Sequence, residues 1–181
     1  YFSNSQPDYK FENKENLITY LDEKLCKQPF SIQIKNSTDY NLELIKNKGN
    51  LFFKFSNNSY NNIIKSNGEI ILNINHSNEE IEIYKLTKKE QKNCFFTSMF
   101  LKEFKFQNFN NDLTKKEVSI IASQKKNKIL IKIILSYENS ESKISFKIGE
   151  NTDNSIKWGN EKKIIFHDLV EFNKLFENIF V

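Results

Sequence analysis

The chain reads as an α+β domain, a mainly antiparallel β-sheet flanked by an N-terminal and a C-terminal amphipathic helix. Three observations predict this. Bulky apolar residues alternate with polar ones through most of the stretch between positions 30 and 148, leucines at helical spacing precede it, and aromatic and aliphatic residues at helical spacing follow it. At 181 residues the chain is long enough to bury a core without disulfides or metals. Its 17 Phe and 7 Tyr concentrate that burial in few, large side chains.

Residues 1 to 11 are polar with Pro7 and read as a flexible arm, leaving 12 to 181 as a single β-rich domain. From about Asn13 a helix is predicted, because Leu17, Leu21 and Leu25 recur at i+4 with Ile18 beside them, and Pro29 closes it. Ile32 and Ile34, then Leu42 and Leu44, then Leu51, Phe53 and Phe55 predict a three-stranded meander, broken by polar stretches at Asn36 to Asp39 and Asn47 to Asn50. Asn67-Gly68 is a hairpin signal between Ile63-Ile64 and the alternating Ile70, Leu72 and Ile74. After a polar turn at Asn75 to Asn78, Ile81 and Ile83 continue the same apolar pattern.

Between Thr87 and Phe106 the spacing of Phe95, Phe96, Met99 and Phe100 suits a short helix that turns into a strand at Phe104 and Phe106, with a polar connection from Asn108 to Lys116. Val118, Ile120 and Ala122 predict one strand and Ile129 to Tyr137 a long one, paired across the turn Lys125 to Lys128. The long strand also carries Leu130 and Ile134 on its other face, so both faces are expected to be covered, as in a central strand. Ile144, Phe146 and Ile148 form a further strand, and a loop is expected from Gly149 through Trp158 to Gly159. For the closing helix, Asp168 is the expected cap with Glu171 three residues on, and Ile165, Leu169, Phe172, Phe176 and Ile179 form the apolar stripe.

All 27 basic residues are Lys, the only Ala is Ala122, and Asn numbers 26, a bias that matches coding drift in an AT-rich genome. The absence of Arg argues against sequence-specific duplex reading, which favours the guanidinium fork over the point charge of Lys. A net charge of +4 and a pI near 8.8 permit an acidic partner without requiring one. Cys26 and Cys94 allow at most one internal disulfide and are too far apart for a CxxC motif; each reads as a small buried hydrophobe. The sequons at Asn36, Asn57 and Asn75 match what chance gives at this Asn content. No apolar run reaches the roughly 18 to 20 residues of a membrane-spanning helix, and no signal-peptide pattern opens the chain at Tyr1.

His76 lies in a polar turn and His167 abuts the predicted helix cap; neither has a partner at metal-ligand spacing, and no phosphate loop, nucleophile elbow or HExxH occurs. The expectation is a non-enzymatic protein with no cofactor and no metal. The candidate binding residues are basic and aromatic: Lys125, Lys126 and Lys128 at the tip of a hairpin, Lys115 and Lys116 at its opposite end, and Tyr137 and Trp158 as stacking surfaces for bases. Lysines at such positions equally serve to guard turns and sheet edges.

Two resemblances accompany these residues. Asn16 to Lys27, Phe30 to Phe55 and Glu117 to Ile148 (EVSIIASQKKNKILIKIILSYENSESKISFKI) follow the order of helix, meander and later strands that resembles the mitochondrial acidic matrix protein family, which implies a trimeric ring. This chain is basic where that family is usually acidic, and 57 to 113 would be an insertion. Lys46 to Ile74 (KNKGNLFFKFSNNSYNNIIKSNGEIILNI) and Phe166 to Ile179 look like the opening strands and second helix of the Whirly-like single-strand-binding fold.

The function expected on these grounds is an organellar binding module for single-stranded RNA or DNA, or another polyanion, through Lys-lined strands. An oligomeric scaffold of the mitochondrial matrix type engaging an acidic protein partner is the alternative. A secreted or surface interaction domain is the third reading, one that a disulfide between Cys26 and Cys94 would favour.

Overall fold

A computed structural model of the chain describes residues 11–35, 41–48, 50–57, 60–91, 104–124, 129–138, 143–152 and 154–180. The first helix, α1 (Lys14–Cys26), starts where Asn13 accepts the Asn16 amide on its side-chain oxygen at 2.9 Å, and it carries Glu15 in its first turn and Lys24 in its last, as the helix dipole favours. Leu17, Leu21 and Leu25 are fully buried, as their spacing predicts. Phe11, just upstream, is buried too, edge-on to Tyr20 with ring centroids 5.3 Å apart, so Phe11 itself packs with the core; residues 1–10 of the predicted arm lie outside the described ones.

Six strands then run as an antiparallel meander: β1 (Phe30–Lys35), β2 (Asn41–Asn47), β3 (Asn50–Asn57), β4 (Tyr60–Asn67), β5 (Ile70–Asn75) and β6 (Glu80–Lys85). The predicted turns at Asn67-Gly68 and Asn75 to Asn78 join β4 to β5 and β5 to β6, while the polar stretch at Asn36 to Asp39 lies outside the described residues. Gly68 adopts φ 94°, which a side chain would disfavour, while the Asn67 side-chain oxygen accepts the amides of Glu69 and Ile70 at 2.9 and 3.0 Å. The Asn75 side chain does the same for Ser77 and Asn78.

A short helix α2 (Lys88–Gln91) follows, capped by a reciprocal pair of bonds between Thr87 and Glu90; the predicted helix through Phe95 to Phe100 lies outside the described residues. The second sheet comprises β7 (Phe104–Asp112), β8 (Glu117–Gln124), β9 (Ile129–Ser136), β10 (Lys143–Thr152) and β11 (Ser155–Trp158), ordered β11-β10-β9-β8-β7. Two predicted loops are strands instead. β7 continues through Asn108 to Asp112 because a register shift between Gln107 and Asn110, with Asn108 at φ 55°, lets an edge strand of polar residues stay paired. β10 runs on past Gly149 and returns as β11, so the expected loop is a hairpin.

The chain then passes between sheets in five residues. β12 (Lys162–Lys163) pairs with β10, Ile164 donates to the Ile144 carbonyl at 3.1 Å, and β13 (Ile165–Phe166) pairs with β1, completing the order β13-β1-β2-β3-β4-β5-β6. Ile165 is therefore in a strand, not in the helical stripe its spacing predicts, and is 58% exposed. The helix itself, α3 (Leu169–Phe180), starts at Asp168 as predicted, whose carboxylate accepts the Glu171 amide at 2.8 Å.

The fold is α+β and mostly antiparallel sheet, as predicted, with one core sealed by the two sheets and α1. The inner faces of the two sheets and the leucines of α1 share one core: Phe30, Ile32, Leu44, Phe53 and Phe55 from the first sheet, Val118, Ile120, Ile133 and Phe146 from the second. α3 is not part of that seal. It packs on the other, outer face of the first sheet, where Ile45, Phe52 and Phe172 are buried apart from the main core. One sheet face needs one cover, and the second sheet supplies it, which leaves the terminal helix for the opposite side.

Candidate protein-interaction face

The outer face of the seven-stranded sheet is built in two halves. In the first half α3 packs on it at β2, where Ile45 is buried, and Phe52 of β3 is buried beside it. Over β4 to β6 it carries a run of apolar side chains: antiparallel register sets Ile63 beside Ile74 and Ile74 beside Ile81 in one row, and Leu72 beside Ile83 in the next, with Ile70 following. Residues directly opposite in antiparallel strands share a face. Ile81 is 65% exposed, Ile83 68% and Ile70 43%, so this half is bare. The alternating Ile70, Leu72, Ile74, Ile81 and Ile83 thus form strands as predicted, with their apolar side turned away from the core. The register buries Ile64 and Ile71 instead, and with them turns Asn62, Ser66, Asn73 and Asn75 inward.

Charge on the bare half has one sign. Lys65 lies opposite Leu72 and Lys85 opposite Ile70, whereas Glu80 and Glu82 share the inner parity of Asn75 and Asn73. Glu82 there accepts the Tyr84 hydroxyl. β6 is also the last strand of its sheet, so one line of its backbone donors and acceptors meets no further strand among the described residues. An apolar face with a lysine fringe beside a free strand edge can accept an apolar strand or helix whose flanks are acidic.

Of the predicted basic and aromatic residues, the described ones lie at two ends of the second sheet. Lys115 and Lys116 are exposed in the turn joining β7 and β8, Lys116 at φ 52°. Tyr137 reaches that end: its amide donates to the Lys116 carbonyl at 3.0 Å, and its hydroxyl donates to the Asn111 side chain at 3.2 Å. Trp158 lies at the other end of the sheet, opposite Gly149, which is six residues and about 20 Å along β10 from Lys143. Its ring is already engaged. A Cβ at Gly149 would stand 2.5 Å from the indole, and the Lys132 amine sits 5.7 Å from the ring centroid. Lys125, Lys126 and Lys128 lie outside the described residues. Leu130 and Ile134, on the outer face of the central strand β9, are both buried, as expected.

Lys46 and Cys26 lie apart from these surfaces. Lys46 sits fully buried in β2, opposite Phe30 and Leu51, where nothing in its local sequence separates it from a surface lysine. Burial pushes its amine down to about 7, with the nearby Asp22 carboxylate pulling the other way, and it donates to the Lys48 carbonyl. Cys26, the last residue of α1, is disulfide-bonded rather than a free hydrophobe. The chain's other cysteine, Cys94, lies outside the described residues.

Among the described residues no three His, Cys, Asp or Glu side chains gather as a metal site, and no helix is long and apolar enough to cross a membrane. No family model matches the chain, and no curated protein matches it.

Proposed function

We propose that the chain is a protein-interaction domain of an oxidising compartment, which docks an apolar segment flanked by acidic residues on the bare outer half of β4 to β6. The observation that carries this is the exposure of Ile81 and Ile83, in register with Leu72 and Ile74, on a face whose charges are Lys65 and Lys85. Isolated exposed isoleucines are common, but a contiguous set on a strand edge is the pattern of a surface that meets another protein. The compartment follows from Cys26, since disulfides persist in secreted and surface proteins and are reduced in the cytosol. This favours the secreted or surface reading over the organellar one. The polyanion reading has less support, because Tyr137 and Trp158 lie at opposite ends of their sheet and both are engaged.

The test uses fluorescent peptides with one apolar core and either Asp/Glu or Lys flanks, titrated into the wild-type chain and into Ile81→Thr/Ile83→Thr. Acid-flanked peptides binding at least tenfold more tightly than lysine-flanked ones, with loss in the double variant, is the expected result. No preference between flanks, or equal binding by the variant, overturns it. Tight binding of labelled single-stranded RNA or DNA that falls steeply with salt and survives in the variant would replace it with the polyanion reading.

A further inference from the structure

The passage from β13 into α3 brings together three side chains that the proposed docking face does not use. Ser31 on β1 has its hydroxyl 2.6 Å from Nε2 of His167, and Nδ1 of the same ring lies 3.2 Å from the Glu171 carboxylate. A carboxylate only accepts, so it fixes the proton on Nδ1 and leaves Nε2 as the acceptor for the Ser31 O–H. His167 is held from both sides of its backbone: its amide donates to the Pro29 carbonyl at 2.8 Å, and the Gln28 side chain donates to its carbonyl at 3.5 Å. Glu171 is placed by the cap, because Asp168 takes its amide. In a capping box the glutamate would turn back to the cap residue's own amide; here its carboxylate reaches His167 instead. The imidazole is 13% exposed and the glutamate 60%, so the cluster opens to the surface.

The geometry points to Ser31 as a nucleophile, with His167 as its general base and Glu171 as the positioning residue, acting on carboxylic esters with an apolar acyl group. The acyl preference comes from the neighbours. Ile165 is the register partner of Ser31 on the same face, and Ile165, Leu169 and Val170 are 58%, 55% and 65% exposed around the cluster. As the Ser31 oxygen bonds the ester carbonyl carbon, its proton passes to Nε2. The tetrahedral adduct then expels the alcohol, which leaves with that proton, and acyl-Ser31 remains. Water attacks the acyl carbon while Nε2 takes its proton, and the carboxylic acid departs as Ser31 recovers its hydrogen. Ester and water become acid and alcohol, and Glu171 keeps its charge throughout.

The experiment is active-site labelling of the whole, oxidised chain with an alkyl fluorophosphonate, read by intact mass and peptide mapping, alongside p-nitrophenyl butyrate turnover. A serine that only ties β13 to β1 does not react with a fluorophosphonate. The expected result is one adduct, on Ser31, absent from Ser31→Ala and formed about a hundredfold more slowly in His167→Gln and tenfold more slowly in Glu171→Gln. Circular dichroism identical to wild type identifies folded variants, and the wild-type label stands independently of them. No adduct on the folded wild-type chain, or an adduct at another position that persists in Ser31→Ala, overturns the inference. Failure here leaves the docking face untouched, because its test reads peptide binding at Ile81 and Ile83.

Discussion

The two halves of the seven-stranded sheet alternate equally well and point their apolar sets to opposite sides. In β1 to β3 the apolar set faces inward, Phe30, Ile32, Leu44, Phe53 and Phe55 meeting the second sheet, and the outward Ile45 and Phe52 are buried on the face where α3 packs. From the second half of β5 onward the apolar set faces outward and bare, while Asn73, Asn75, Glu80, Glu82 and Tyr84 take the inner side. The period of two shows that one face is apolar and is silent on which face it is. That choice is made by register. Ile64 aligns with Asn73 and Ser66 with Ile71, so a single pairing sends Ile71 in and Leu72 and Ile74 out.

If cover rather than composition separates the halves, truncations beneath α3 should be costly. Phe172→Ala, which empties a fully buried ring site on the helix that packs on β2, should lose about 3–5 kcal/mol of unfolding free energy in urea. A loss below about 1 kcal/mol would show that α3 is a loosely held flap and that the two halves are alike. The covered half also contains one polar intruder, Lys46. Its amine titrates at about 7 in the folded chain against 10.5 when unfolded, so between those values the unfolded chain holds a proton the native one lacks. Stability should therefore rise from pH 7 to pH 10.5, with the full penalty present below pH 7. Lys46→Met should flatten that rise and stabilise the protein at pH 6 by on the order of a few kcal/mol, less what the Lys48 carbonyl loses with its donor. An unchanged pH slope in urea titrations at pH 6, 8 and 10 would place the amine in water.

Much of the fold was legible because its signals are local. Asp168 as a cap, Asn67-Gly68 and Asn75 to Asn78 as turns, and the Leu17, Leu21 and Leu25 face all depend on residues close to one another in sequence. What was not legible depends on distant partners. The indole that Gly149 admits arrives from Trp158 across a hairpin, so the stretch between them reads as loop. Ile165 continues the helical spacing perfectly well, and only β1, some 135 positions earlier, claims it as a strand. The same holds for the candidate sites: Ser31, His167 and Glu171 share no motif, and Ile81 and Ile83 become part of one exposed apolar face only once the register is known. The lysine pairs drew attention because charge is visible in sequence, whereas the place of Tyr137 and Trp158 at opposite ends of a sheet is not.

The inward polar face of the bare half gives a smaller effect of opposite sign. Asn73 is buried with its side-chain oxygen lacking a hydrogen-bond partner among the described residues, so Asn73→Val should raise unfolding free energy by about 1 kcal/mol, through relief of the orphaned acceptor and a better strand former. A loss instead would mean that the amide is held by a partner the substitution removes.

The smallest effect is the most informative one. Ile81→Thr with Ile83→Thr keeps branching at Cβ, and hence the strand preference of β6, while removing apolar surface that water already reaches. Unfolding free energy should change by no more than about 0.5 kcal/mol, in contrast to the losses under α3. A destabilisation of 2 kcal/mol or more would mean that these side chains are packed in solution and that the sheet has no bare half. A neutral stability effect together with lost binding of acid-flanked peptides would separate folding from recognition on one strand: the inner parity of β6 serves the domain, and its outer parity serves a partner.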